Sequence, residues 1–133
     1  MANITIFKDL LGKILVDILV KEDAVYFRTL DGFVIRFFHE QDCCESVWVE
    51  DIEGDINDLL HSRLLTAEEL VKDGREEEEF GSTTWTFYRF ATRKGFVTIR
   101  WCGQSSGYYS ERVDYEIRRP YYPSDLTRYR HDF

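Results

Sequence analysis

Hydrophobic and polar residues alternate along much of the chain, and this period of two predicts β-strands rather than long helices. The pattern is clearest in the second half, where Val97, Ile99 and Trp101 fall on one face of a strand. Gly95 ends a tight turn between the first two strands of that half. The strands predicted there are 83–92, 96–102 and 108–117. A sheet with one covered face is therefore expected.

The first half predicts shorter elements. A helix is expected over 4–11, strands over 13–20, 24–30, 33–39 and 46–51, and a helix over 54–61 that begins near Asp55 or Asn57. Residues 64–71 fit either a strand or a helix. Asp31-Gly32 predicts a type I′ hairpin, because both central residues of that turn need positive φ. Ser124 can begin a short final helix.

These elements predict a single α+β domain, which suits a chain of 133 residues. We expect a twisted, mainly antiparallel sheet of about six or seven strands with about two or three short helices. Its parts are a first half over 1–75, an aromatic antiparallel half over 80–119 and a basic, aromatic tail over 120–133.

The charge of the chain is uneven. Its formal net charge is −8, which disfavours generic binding of nucleic acid because such binding needs a basic footprint. Residues 45–79 hold thirteen acidic and three basic residues. A solvated acidic face explains this segment, and an acidic surface that mimics DNA or inhibits another protein is the functional alternative.

Cysteine usage and hydropathy predict a cytoplasmic protein. Cys43, Cys44 and Cys102 form an odd set in a chain with no apparent export signal, so we expect reduced thiols. No apolar run reaches the length of about 20 residues that a membrane-spanning helix needs. We expect no membrane association and no cofactor.

The segment 39–45, His-Glu-Gln-Asp-Cys-Cys-Glu, is distinctive. His39 with the cysteines suggests a metal site, but the spacing is poor for zinc. His39 and Cys43 could instead serve a small hydrolase, although acidic neighbours raise the pKa of a thiol. The structural interpretation is a polar turn in which Gln41 and Asp42 bind backbone amides and the cysteines pack as small hydrophobic residues.

The stretch 98–110 joins two strands through a small polar loop. Ser and Gly in such a loop can hold a phosphate or ribose, and neighbouring rings can stack on a base. The candidate ligand-binding residues here are Phe96, Arg100, Ser105, Ser106 and Gly107. An ordinary hairpin loop beside core aromatics is the structural alternative, because no phosphate-loop glycine pattern is present.

The end of the chain carries its main basic patch. Arginine offers planar, bidentate recognition of phosphate, and tyrosines are interleaved with these arginines. The candidate residues are Arg118, Arg119, Arg128 and Arg130. Alternatively, these arginines pair with the acidic middle segment, within the chain or between copies.

The segment His39-x-Gln-Asp-Cys-Cys-Glu-Ser-Val47, the motif Glu50-Asp-Ile-x-Gly-Asp55, Trp85–Tyr88 and the stretch 95–110 together resemble a family common in phage genomes. The resemblance covers most of residues 6–115. This family is similar to the Thoeris anti-defence sponge proteins, which sequester cyclic ADP-ribose-type immune signals without cleaving them. Those proteins assemble as oligomers with ligand pockets between subunits.

The resemblance implies a phage-encoded, non-enzymatic homo-oligomer that captures a small cyclic nucleotide-like signalling molecule. It places Phe96 where the family stacks an aromatic ring on the ligand. Ser106 stands where many relatives carry Asn, a departure that affects a polar contact. The C-terminal arginine of the family corresponds to Arg128 or Arg130, or to Arg118 or Arg119.

Overall fold

The computed structural model describes residues 2–73, 81–107 and 109–118, with side chains from residue 6 onward. Every strand predicted from the alternating pattern has a counterpart. Most are shifted by a few residues at their ends, and the last begins at Asp114 where residue 108 was predicted. The elements are α1 (Ala2–Leu10), β1 (Leu15–Val20), β2 (Ala24–Thr29), β3 (Val34–Phe38), β4 (Ser46–Glu53), a 3₁₀ helix (Ile56–Leu59), β5 (Thr66–Asp73), β6 (Ser82–Thr92), β7 (Gly95–Ser105) and β8 (Asp114–Arg118).

Over these described residues the strands form two four-stranded antiparallel sheets. Sheet 1 has the order β1-β2-β3-β8, and sheet 2 has the order β4-β7-β6-β5. The mainly antiparallel character is confirmed, but the described strands form two sheets where one was expected, and the described helices are α1 and the 3₁₀ helix. The loop 39–45 takes the chain from β3 in sheet 1 to β4 in sheet 2, and an alternating pattern carries no information about which strands pair.

The two sheets pack face to face through aromatic rings. The ring centroids of Phe27 and Phe90 lie 5.0 Å apart, as do those of Phe37 and Tyr88. Each pair joins a strand of sheet 1 to β6. Helix α1 adds Phe7, whose ring centroid is 5.2 Å from that of Tyr88. The core is therefore an aromatic layer between the sheets, closed on one side by α1.

Two helical predictions needed correction. The expected helix over 54–61 is only the 3₁₀ helix, although Asp55 caps it as expected by accepting a hydrogen bond from the amide of Asn57 at 2.9 Å. The ambiguous stretch 64–71 contributes to strand β5.

Of the helices in the described residues, none combines the length and apolarity that a membrane span needs. The final helix expected at Ser124 and the tail 120–133 lie outside the described residues.

Two turns also differ from expectation. At the β2–β3 hairpin Gly32 has a φ of 96°, but Asp31 does not have positive φ, so the turn is not type I′. Asp31 instead accepts hydrogen bonds from Thr29 and Lys13. The predicted strand 108–117 forms a strand only over β8. The buried carboxylate of Glu111 accepts a hydrogen bond from Thr84 of sheet 2, so the chain joins sheet 1 only after this residue.

Candidate functional site

Strand β7 separates the sequence-predicted residues of the second half. Phe96 is 68% exposed near the beginning of this strand, and Ser105 ends it. Nine residues of strand span about 30 Å at about 3.3 Å per residue. Within one chain, Phe96 and the 105–107 loop therefore cannot contact one small ligand together.

Arg100 lies on the outer face of sheet 2, on the same side of β7 as Phe96. Its guanidinium carbon is 5.1 Å from the ring centroid of Trp85 on the neighbouring strand β6. Its Nε is buried, and no hydrogen-bond partner for it lies among the described residues. The structure thus places the Arg100 guanidinium against an aromatic ring, while its Nε–H has no hydrogen-bond partner among the described residues.

The 105–107 loop is partly committed to structure. The Ser105 hydroxyl donates a hydrogen bond to the Glu111 carboxylate, which also accepts from Ser82 and from Thr84, the latter at 2.7 Å. Ser105 Oγ in turn accepts from the Gly107 amide at 2.9 Å. We call Glu111 with these three hydroxyls the Glu111 cluster. Ser106 and Gly107 are exposed, so they alone of this loop present free surface.

The sequence-predicted arginines are not brought together in the described residues. Arg118 ends β8 in sheet 1, where it stands opposite Val34. Arg100 lies in the other sheet. Arg119, Arg128 and Arg130 lie outside the described residues, so their predicted role stays a prediction.

The loop 39–45 is organised by Glu45. Its carboxylate is fully buried and accepts hydrogen bonds from the amides of Asp42 at 2.7 Å and Cys43 at 2.9 Å. His39 Nε2 donates to the same carboxylate at 2.6 Å. His39 Nδ1 lies 2.8 Å from the carbonyl oxygen of Arg112. Both ring nitrogens therefore have a hydrogen-bond partner, which fixes the orientation of the ring.

This geometry corrects the interpretation of the loop as a turn held by Gln41 and Asp42. Glu45 binds the amides, while the Gln41 side chain donates to the carbonyls of Cys43 and Glu45. The longer glutamate side chain reaches back over the turn, which the sequence motif alone does not indicate.

The hydrogen bonds to Glu45 make a pH dependence predictable. Donation from the Cys43 amide, and then from His39, lowers the pKa of this carboxyl from 4.5 to about 2. Since the folded-state pKa is lowered, the stabilisation is complete above about pH 4.5 and is lost as the pH falls from there toward about 2. Urea unfolding from about pH 6 to about pH 2.5 measures this loss.

The matched variant is Glu45→Gln, which cannot ionise. We expect the wild-type protein to be more stable than the variant at neutral pH, and we expect the difference to shrink across that acid window. A difference that stays constant with pH contradicts the assignment.

The cysteines differ from expectation. Cys43 and Cys44 are exposed and joined by a disulfide, so the expectation of reduced, packed thiols is wrong for them. Cys102 is buried and takes no part in a disulfide. No group of three or more potential metal-ligating side chains converges in the part of the chain that the structure describes. With Cys43 bonded to Cys44 and both nitrogens of His39 engaged, the geometry lacks the thiol–imidazole pair of a hydrolase.

A concave surface lies on the outer face of sheet 1, a location that sequence reasoning missed. We call it the sheet 1 recess. It has a volume of about 420 Å³, within the range of small-molecule sites. Its lining includes two cations, two acidic residues, two aromatic rings and the side of the loop 39–45. These residues are Lys21, Arg36, Asp23, Glu40, Tyr26, Phe38 and Gln41.

Aromatic rings hold the two cations of the sheet 1 recess. The Arg36 guanidinium carbon is 3.7 Å from the ring centroid of Phe38, and Lys21 Nζ is 5.7 Å from that of Tyr26. Arg36 Nε lies 3.4 Å from Glu116, yet it makes no hydrogen bond with any described residue. This nitrogen is buried and paired with a carboxylate, so a ligand would have to bind Arg36 through the rest of its planar guanidinium group.

The pairing of β2 with β3 creates this surface. Tyr26 stands directly opposite Arg36, and alternation places Phe38 on the same outer face. The hairpin signal at Asp31-Gly32 indicates that β2 and β3 pair, but a two-residue turn there would set Tyr26 opposite Phe37 and so does not reveal this pair. Lys21 lies in the β1–β2 turn, where no sequence pattern indicated a site.

The acidic segment does not form one surface in the described residues. Its first part lies on β4 and its later part on β5, and these strands are the opposite edges of sheet 2. Glu50, Asp51 and Glu53 are exposed on β4. Charged side chains on an edge strand prevent it from pairing with another chain. This arrangement favours the solvated-face interpretation over a DNA mimic.

The two packed antiparallel sheets and the sheet 1 recess define a small β-sandwich protein with an open surface recess lined by charged and aromatic side chains. The chain belongs to the family described as Domain of unknown function (DUF7448), whose family model matches residues 8–115. No curated protein and no solved structure matches the chain significantly.

Proposed function

We propose that this protein captures a small phosphorylated molecule that carries an aromatic base and releases it unchanged. The observation that supports this function most strongly is the pair of ring-held cations in the sheet 1 recess. Lys21 and Arg36 supply positive charge for phosphate groups, and Arg36 supplies a planar face on which a base can stack. The volume of about 420 Å³ suits a nucleotide-sized ligand.

Capture is favoured over turnover because the described residues offer no activated nucleophile. His39 is bound at both ring nitrogens, and the sulfur of Cys43 is bonded to that of Cys44. A nucleophilic mechanism needs a free base beside a free nucleophile. Binding needs only the charges and rings that line the sheet 1 recess.

Within this class, we propose a cyclic ADP-ribose-type signal as the ligand and phage anti-defence as the role. The support is the sequence resemblance to Thoeris anti-defence sponge proteins over the motif that begins at His39. A cyclic ADP-ribose-type molecule presents a pyrophosphate and one base, which the two cations and the aromatic rings of the recess could contact.

The residues on β7 support a second arrangement of the same function, in an oligomer. If the outer faces of sheet 2 from two copies packed together, a two-fold axis parallel to the sheet and perpendicular to β7 would place Phe96 of one copy against Ser106 and Gly107 of the second copy. Each pocket would then combine a stacking ring from one subunit with polar groups from the other. Arg100 would lie between them.

Calorimetric titration with cyclic ADP-ribose isomers tests the proposal and separates the two arrangements. We expect Arg36→Ala to weaken binding at least about tenfold, which corresponds to about 1.4 kcal/mol. Arg89→Ala is the matched control, because Arg89 is exposed on β6 and only loosely paired with Glu68 at 3.5 Å. The control should bind as the wild type does.

Other outcomes have distinct meanings. If Phe96→Ala and Arg100→Ala abolish binding while Arg36→Ala does not, the ligand binds the β7 surface, and the wild-type protein should then elute as an oligomer. Heating the complex and chromatographing the released molecule distinguishes capture from cleavage. If neither the wild type nor any variant binds such a nucleotide, this function is rejected.

A further inference from the structure

The disulfide between Cys43 and Cys44 joins residues that are adjacent in the chain. Both cysteines are exposed, whereas the third cysteine, Cys102, is 2% exposed. The pair lies in the loop between sheet 1 and sheet 2. Its position at the surface makes both sulfur atoms accessible to a reagent in solution.

This disulfide is poorly suited to act as a structural staple. A disulfide stabilises a fold mainly by restricting the unfolded chain, and that effect grows with the length of the loop it closes. A bond between neighbouring residues encloses no intervening residue, so it restricts the unfolded chain very little. The aromatic core and the sheets hold the fold without it.

The loop around the pair is held by groups other than sulfur. Glu45 binds the amides of Asp42 and Cys43, and Gln41 binds the carbonyl of Cys43. None of these contacts uses a thiol or a disulfide. The oxidation state of the pair can therefore change while Glu45 keeps its backbone contacts.

We propose that Cys43 and Cys44 form a reversible thiol–disulfide exchange site that reacts with dithiols. A thiolate of the dithiol attacks one sulfur, the Cys43–Cys44 bond breaks, and the other sulfur leaves as a thiolate that takes up a proton. The second thiol of the reagent, as a thiolate, then attacks the reagent sulfur of the mixed disulfide. The reagent departs as a cyclic disulfide, and the second cysteine sulfur leaves as a thiolate that takes up a proton. Two electrons and two protons pass from the dithiol to the protein.

The charges around the pair define which dithiols suit it. Glu40 and Asp42 are exposed next to the cysteines and carry negative charge. Like charges slow the approach of an anionic reagent. The neutral dithiol dihydrolipoamide should therefore reduce the pair several-fold faster than dihydrolipoate, the same dithiol with a carboxylate, at matched thiolate concentration.

Alkylation of the folded protein with iodoacetamide, read by mass spectrometry, tests the proposal. Without a reductant we expect no label on Cys43 or Cys44. After dithiothreitol we expect a gain of about 2 Da, the mass of two hydrogens, and then label on both cysteines. The buried Cys102 should be labelled only after denaturation. Phenylarsine oxide should bind the reduced wild type and not the Cys43→Ser variant, because it needs two neighbouring thiols.

Two controls make the result decisive. The Cys43→Ser/Cys44→Ser variant should keep the melting temperature of the wild type, since both side chains are exposed. Reduced wild type should melt within a few degrees of the oxidised protein. Free thiols at Cys43 and Cys44 in air-purified protein, or unfolding on reduction, would overturn the proposal.

Discussion

Replacing Phe37 with alanine is expected to lower the free energy of unfolding by about 3–5 kcal/mol, the usual cost of removing a buried phenylalanine side chain. Phe37 has no exposed surface. Its ring contacts that of Phe27 in its own sheet at 5.3 Å, that of Tyr88 in sheet 2 at 5.0 Å and that of Phe7 in α1 at 6.2 Å between centroids. The substitution leaves a cavity where all three layers meet.

Phe96→Ala is the matched control, because Phe96 is the same residue type at 68% exposure. Its removal should change the free energy of unfolding by no more than about 0.5 kcal/mol. Urea unfolding of both variants measures the two values. Equal losses for Phe37→Ala and Phe96→Ala would mean that the ring layer between the sheets is not the stabilising core.

Glu111→Ala is expected to destabilise the fold by about 3 kcal/mol, because hydrogen bonds to a charged group are among the strong ones and three hydroxyls lose their acceptor at once. Glu111 is 6% exposed and binds Ser82, Thr84 and Ser105. Its backbone also packs closely on Gly103, where an added Cβ would lie 2.4 Å from the Glu111 carbonyl oxygen.

Two further variants test the Glu111 cluster. Glu111→Gln keeps one acceptor oxygen and should cost about 1 kcal/mol, less than the alanine variant. Glu116→Ala removes a partly exposed carboxylate on β8 and should cost no more than about 1 kcal/mol, the usual limit for a surface ion pair. A loss for Glu111→Ala as small as that for Glu116→Ala would rule out a structural role for the cluster.

The sequence predicts the strands well because alternation is a local property. Val97, Ile99 and Trp101 point to the core as expected, and β6 and β7 begin and end close to their predicted bounds. Pairing depends on contacts between distant residues, so the division into two sheets was not predictable from the pattern. The short 3₁₀ helix has too few residues for a helical period to mark it reliably.

The candidate site shows the same limit. The sequence indicated rings, arginines and a polar loop along β7. It did not show that Phe96 and Ser105 lie at opposite ends of the same strand. The sheet 1 recess depends on Tyr26 meeting Arg36 across a hairpin. This contact depends on the register between β2 and β3. Assigning the turn at Asp31-Gly32 as type I′ gives a different register. The role of Glu45 was hidden because only the folded turn brings its carboxylate to two amides and an imidazole.

The pairing of β3 with β8 has a consequence for how the molecule is made. Ile35 lies opposite Ile117, so the neighbour of β3 comes from the far end of the sequence. Contacts of such long separation form late, because the entropy of closing the chain must be overcome first. A nascent polypeptide on the ribosome must therefore expose this edge of β3 until translation has passed Arg118, and that is the stage at which a chaperone would protect it.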